Sequence, residues 1–361
     1  MRISRPPGSA RSFTGSRPRA NNMDAFLQLP AEERREACRI AEERISLRAA
    51  SIEKDFWICW TLRELFALTG IGEHLTFKGG TSLSKGWRLI ERFSEDLDIT
   101  VDRAHLGFGG DQSPEAALSA NQRGKRLQAL HDGCCAYIKE KLAPAFARRV
   151  AERVPEGKLT PDPDDPLSLL FEYPSAFPAD AYLRPYVKIE LGARSDIDPS
   201  ELPEIQPYLA EVVPEALGHS AFNVRALTPK RTFWEKAMLL HEETYRPDDP
   251  KARLARHYYD LWCLIRAGVG AAAAEDQDLF DRVAAHRIIF FRKGGGAQDT
   301  LRRGSLRLMP THAHYPAWQR DYDAMREVMF FGKTPEFIEI LDVVGNFERQ
   351  FNAATLGTGA A

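Results

Sequence analysis

Residues 77–101 read "FKGGTSLSKGWRLIERFSEDLDITV". Phe77 and Lys78 close a short apolar stretch, "HLTFK", that suits a strand. Gly79 and Gly80 then break it, and glycine lets the backbone turn sharply and approach a bulky group closely. Thr81 and Ser82 open a run with Leu83, Trp87 and Ile90 at helical spacing, which predicts a helix over 81–92. Phe93 to Glu95 make a corner. Asp96 to Val101 alternate as a strand, so Asp96 and Asp98 share one face, about 6.6 Å apart along the chain, while Leu97 and Ile99 face the core. Two carboxylates on one strand face can hold a hard divalent cation, which binds through carboxylates and substrate phosphates. The free N–H groups at a helix start favour phosphate. Strand, Gly-Gly, helix, corner and a second strand carrying Asp-x-Asp therefore point to nucleoside triphosphate chemistry. No GxxxxGK[ST] loop is present.

A third carboxylate is expected on a neighbouring strand. "YVKIELGAR" at 186–194 alternates cleanly, with Val187, Ile189 and Leu191 on one face and Lys188 and Glu190 on the other. Glu190 is the candidate. Lys236, in "RTFWEKAMLLHEE", sits among apolar helical neighbours and either snorkels or reaches a cleft. Asp260, in "RHYYDLWCLI", is a carboxylate in an apolar helix, and Arg256 four residues earlier offers an ordinary ion pair.

Around this centre the chain reads as α+β. Helices are predicted over 24–47, over Ser51–Leu68 with Ser51 as N-cap, and over 124–149. Residues 155–166, rich in Pro and Asp, connect two strands, and "FNVRAL" at 222–227 is another strand. From Pro229 the pattern is helical, with helices continuing from Tyr322 to Asn352. A nucleotide-handling domain over 23–228 and a helical domain over 229–352 are expected. A disordered basic tail at 1–22 and a flexible tail at 353–361 would flank them. The alanine-rich 268–275 run carries no special signal. At 361 residues the chain has room for roughly two domains.

Net charge is −2, which does not announce nucleic acid. Residues 1–22 carry five arginines and no acid, leaving −2 − 5 = −7 for the rest. That segment lacks the apolar core of a secretory signal, and Met23 opens the first periodic segment as the expected natural start. No run approaches the ~18 apolar residues of a membrane span. Five cysteines without metal spacing point to a reducing cytoplasm. The segment 281–307 gathers Arg287, Arg292, Lys293, Arg302 and Arg303 around Gly294–Gly296, with Tyr315 and Trp318 beyond it. It could track RNA phosphates, against the commoner reading of a solvated helix face and loop.

"EKDFWICWTLRELF", "KGGTSLSK", "RFSEDLDI", "TFWEKAMLLHEE" and "YYDLW" occur in that order. Together they resemble the nucleotidyltransferase AbiEii/AbiGii toxin family of prokaryotic toxin–antitoxin and abortive-infection systems, over about 23–352. The resemblance implies a bilobed, DNA polymerase β-like nucleotidyltransferase. Such an enzyme transfers NMP from an NTP with Mg²⁺ or Mn²⁺, in some members to the 3′ end of tRNA, and is opposed by an antitoxin from a neighbouring gene. It implies that Lys78, Gly79, Gly80, Thr81, Ser82, Lys85 and Lys236 bind the nucleotide, that Asp96 and Asp98 hold metal with Glu190, and that Asp260 belongs to the catalytic set. Glu53, Lys54 and Asp55 match a family signature and read as mainly structural. Rival readings are a protein-modifying nucleotidyl- or phosphotransferase, a non-catalytic NTP-binding regulator and a DxD glycosyltransferase.

Overall fold

The computed structural model describes residues 22–178, 184–291, 297–330 and 334–356. Its centre is a mixed seven-stranded sheet in the order β3-β4-β5-β2-β1-β9-β6. The strands are β1 (Leu75–Lys78), β2 (Asp96–Val101), β3 (Lys158–Pro161), β4 (Ser168–Glu172), β5 (Tyr186–Gly192), β6 (Ser200–Glu201) and β9 (Ala226–Leu227). A separate hairpin joins β7 (Glu204–Ile205) to β8 (Phe222–Asn223). The β2–β5 pair is parallel and sets Asp98 directly opposite Glu190. The β1–β2 pair is antiparallel and sets Lys78 opposite Asp98. Strand period 2 then places Lys78, Asp96, Asp98, Lys188 and Glu190 on one face. Leu97, Ile99, Val187, Ile189 and Leu191 form the buried face.

That buried face is covered by α1 (Asn22–Leu27), α2 (Ala31–Arg44), α3 (Ala49–Phe66), α5 (Ala120–Tyr137) and α6 (Ala143–Arg153), with α7 (Tyr208–Val212) and α8 (Pro214–Leu217) beside them. Trp57 and Trp60 of α3 stack on Tyr173 and Phe171 with ring centroids 5.3 Å apart in both pairs. A second core is built by α9 (Pro229–Glu243), α10 (Arg256–Arg266), α11 (Val269–Glu275), α12 (Gln277–Phe290), α13 (Tyr315–Met329) and α14 (Phe337–Leu356). The two cores exchange residues. Leu83 and Ile90 belong to the second, and Phe290 belongs to the first.

Several local expectations change. The helix after the glycines, α4 (Gly79–Lys85), stops after seven residues. Beyond it Arg88 has φ of +54°, Trp87 donates to the Leu227 carbonyl at 3.1 Å, and Phe93 N–H donates to Met329 O at 2.7 Å. Tertiary anchors thus override the helical spacing of 86–92. α3 starts at Ala49 after Arg48, so Ser51 lies in its first turn and caps nothing. The 124–149 helix is interrupted by a π-helical turn at Ile138–Leu142 before Pro144, which lacks the N–H that would continue the ladder. The Pro/Asp-rich connection itself contains β3, in a hairpin with β4. "FNVRAL" divides between the hairpin and the main sheet. The 268–275 run forms α11, whose Ala273 carbonyl accepts from Trp234 Nε1 at 3.3 Å. Residues 353–356 are helical, as the end of α14. Residues 1–21 and 357–361 lie outside the described residues.

Glu53, Lys54 and Asp55 sit in the first turns of α3 and each bind a different element. Glu53 accepts from Ser175 Oγ at 2.6 Å and Ala176 N–H at 2.7 Å. Lys54 Nζ holds Glu95 at 2.6 Å. Asp55 pairs with Lys85 at 2.9 Å and accepts from Tyr208 N–H at 2.7 Å. Burial raises the Asp55 carboxyl, and Lys85 opposes that. Both side chains are almost wholly buried, at 3% and 4% exposure. Removing one partner strands a buried charge. We therefore expect Asp55→Ala to lower the unfolding free energy in urea melts by about 3–5 kcal/mol, and the apolar pair Asp55→Leu with Lys85→Met to recover most of it. Equal losses in both variants would contradict this account of the pair.

Candidate functional site

The glycine turn and the Asp-x-Asp strand touch. Gly79 has φ of +80°, a backbone that favours glycine. A Cβ at Gly79 would collide with the Asp98 carboxylate, and one at Gly80 with the Arg92 guanidinium. Thr81 Oγ1 donates to the Asp96 carbonyl at 2.6 Å and lies 2.9 Å from Ser94 Oγ. Ser82 Oγ donates to the Gly79 carbonyl at 3.0 Å. Both residues are buried: Thr81 fastens the turn to β2, and Ser82 closes the turn on itself.

Asp96 is half-buried, and its carboxyl is pushed up to about 6 by burial, then by the charges of Glu190, Glu95 and Asp98. A carboxylate raised by burial and by neighbouring acids has the electrostatics that a bound cation would relieve. All the oxygen donors are hard, which fits Mg²⁺ or Mn²⁺. Glu190 stands opposite Asp98, but its carboxylate is held by Lys188 at 3.1 Å. Burial would lower the Lys188 ammonium, yet Glu190 and Asp162 outweigh it and lift Lys188 to about 12. Among the described residues no three carboxylate, His or Cys groups already converge as a metal cage. Asp96 and Asp98 share the strand face, and Glu190 stands opposite Asp98 with one carboxylate oxygen held by Lys188.

Beside the turn lies a buried charge network. Asp260 of α10 is fully buried and takes a two-pronged contact from Arg92, at 2.7 and 2.8 Å. Lys236 of α9 reaches the same carboxylate at 2.8 Å. Burial opposes ionisation of Asp260, but Arg92 and Lys236 together hold its carboxyl far below the usual range. Lys236 is lowered, first by burial and then by Arg92 despite Asp260. Its Nζ is 3.4 Å from His257 Nδ1, and burial plus the charges of Lys236 and Arg256 keep that imidazole neutral. Arg256 therefore does not pair with Asp260. Two cations, Arg92 and Lys236, share one carboxylate, which leaves positive charge beside the glycine turn.

The AbiEii family, described as "Nucleotidyl transferase AbiEii toxin, Type IV TA system", matches residues 60–345, over three quarters of the chain. The chain belongs to that family. It is a nucleotidyltransferase toxin of the type IV toxin–antitoxin class, which implies an NTP substrate and an antitoxin partner. MenT4, a nucleotidyltransferase toxin from Mycobacterium tuberculosis H37Rv, is a similar solved structure. It shares 17% identity, over 89% of this chain and 97% of that one, with a TM-score of 0.38. No curated protein matches the chain. No helix among the described residues is long and apolar enough to cross a membrane.

In this AbiEii chain some expected site residues lie elsewhere. Lys85 is turned away from the glycine turn, clamped by Asp55 and 3.4 Å from the Tyr208 ring centroid, so its charge is already used. Lys78 lies on the carboxylate face and borders, with Asp98 and Glu190, a cleft of about 270 Å³. Arg287 is buried and forms a two-pronged pair with Glu242 at 2.7 and 2.9 Å. Arg303 is taken by Asp281. Trp318 packs against Tyr258 in the second core. Among the described residues Arg287 and Arg303 are thus not free to form a basic stripe: Glu242 and Asp281 neutralise them. Arg302 is exposed, and Arg292 and Lys293 lie outside the described residues.

The raised Asp96 carboxyl gives a test in metal-free buffer. Its folded pKa of about 6 exceeds its ordinary value of 3.8, so the folded chain holds this proton more tightly than the unfolded chain. Ionised Asp96 therefore costs stability above about pH 6, and the cost fades as pH falls below about 4. Asp96→Asn should raise the melting temperature by a few degrees near pH 7.5 and leave it unchanged near pH 4. A gain that persists at the acid end would contradict the assignment.

Proposed function

We propose that this AbiEii toxin transfers the NMP of an NTP to the 3′-terminal hydroxyl of tRNA in a divalent-metal-dependent reaction centred on Asp96 and Asp98. The observation that carries this reading is the contact between the glycine turn and Asp98. The backbone there admits no side chain, and the two carboxylates of β2 have no hydrogen bond or ion pair among the described residues. A bound Mg²⁺ would draw charge from the α-phosphate and lower the pKa of the attacking hydroxyl. Asp96, Asp98 and Glu190 would hold it.

The chain's own work is positioning and charge placement. Gly79 and Gly80, lacking side chains, let Asp98 and Arg92 close on the turn, and the triphosphate would lie along its backbone. Lys236 would present a cation to it, while Arg92 is held against Gly80 by Asp260. Asp260 acts at one remove: it fixes Arg92 and Lys236 and does not meet the substrate. The tRNA acceptor rests on the family resemblance, and the same carboxylate pair would serve a protein hydroxyl.

Label transfer tests the reading. Each α-labelled NTP is incubated with the full chain, Mg²⁺ and total tRNA, beside Asp98→Asn and an EDTA control. Label should appear on tRNA with one or more NTPs, and fall by at least about 10²-fold in the variant and the control. Label on protein alone would replace the acceptor. Undiminished transfer by Asp98→Asn would remove the site assignment.

A further inference from the structure

Arg253 is one of two described non-glycine residues with positive φ, at +68°. An L-residue in that region costs about 1–3 kcal/mol, and such strain persists only where the surroundings over-determine it. Here they do. Asp321 of α13 accepts from Arg253 N–H at 2.6 Å and from Ala255 N–H at 2.8 Å. His314, just before α13, contacts the Pro247 carbonyl at 3.2 Å. The loop joining α9 to α10 is pinned in its first half at Pro247 and at its end at Arg253 and Ala255.

The pinned backbone sends the Arg253 side chain to the mouth of the carboxylate site. It is 59% exposed, and its Nη2 lies 3.8 Å from Glu95 Oε1, on the residue preceding Asp96. That separation is too long for a hydrogen bond. Glu95 is already held through its other oxygen by the buried Lys54 at 2.6 Å. An exposed ion pair of this kind contributes little and does not offset the strained backbone. A guanidinium fork delivered beside Glu95, whose charge is felt at Asp96, matches a phosphate group far better than a carboxylate already taken.

We infer that Arg253 is a substrate-contacting residue that grips the terminal phosphates of the NTP, with Asp321 as its positioning residue. The inference rests on the nucleotidyl-transfer reading above. In that reaction the acceptor oxygen bonds the α-phosphorus, the bond from that phosphorus to the α,β-bridging oxygen breaks, its electron pair leaves with pyrophosphate, and the hydroxyl proton passes to water. Arg253 meets the charge that collects on the departing pyrophosphate.

The test is calorimetric binding to the full-length chain with Mg²⁺, using α,β-methylene NTP analogues and the matching NMPs. Arg253→Gly is the informative variant, because glycine accepts φ of +68° without strain and removes only the side chain. Its melting temperature should equal or exceed that of the parent, while its Kd for the triphosphate analogue rises about 10- to 100-fold. NMP affinity should not change. Arg253→Lys should recover part of the loss, as a point charge without the fork. Unaltered triphosphate binding by Arg253→Gly, or equal weakening of NMP and triphosphate, would overturn the inference and leave the transfer reading intact. A parent chain that binds no triphosphate analogue would overturn both.

Discussion

One buried carboxylate joins the halves of this molecule. Asp260 lies in the second core, yet its strongest partner, Arg92, comes from the segment between the glycine turn and the Asp-x-Asp strand. Lys236 meets it from a different helix. Burying three charges is costly unless each is paired and hydrogen-bonded. The cost is met only when α9, α10 and the 86–95 segment are all in place. The network is thus a specificity device more than a source of stability. It makes the position of the glycine turn conditional on the helical half of the chain.

The second constraint is steric. Asp98 lies against Gly79, and Arg92 lies against Gly80. The turn therefore passes between an anionic strand and a cationic brace with no side chain of its own. Glu53, Lys54 and Asp55 support this from the opposite side of the sheet. Lys54 reaches under the corner to Glu95, and Asp55 fixes Lys85 at the end of α4. The carboxylates of β2 stay crowded and half-buried, while nearly every buried cation described around them is given a partner. Lys78 on the carboxylate face and Arg253 beside Glu95 are exposed or partly exposed cations on that side.

How much of this could be read from the sequence follows from the range of each interaction. Period-2 alternation alone puts Asp96 and Asp98 on one face, and the same alternation in 186–192 puts Glu190 on a matching face, where strand register sets it opposite Asp98. The glycine pair marks a close approach by its residue type. The rest depends on partners far away in the chain. Arg92 and Asp260 are 168 positions apart, and Arg287 and Glu242 are 45 apart. Helical spacing made 86–92 look like more helix, and a run of basic residues looked like an RNA track, because neither pattern reveals an acid folded against it. Arg253 gave no signal at all. Its significance lies in a backbone angle and in two N–H groups bound by Asp321.

In the proposed reaction, phosphate and metal meet where the glycine turn touches β2. The most direct measurement is a crystal structure of the full chain soaked with Mn²⁺ and a non-hydrolysable NTP, with anomalous scattering used to place the metal. The account predicts a Mn²⁺ peak bound by both Asp96 and Asp98, with the triphosphate lying along Gly79 and Gly80 and facing Lys236. A metal bound elsewhere, or a triphosphate seated away from the glycine turn, would contradict it.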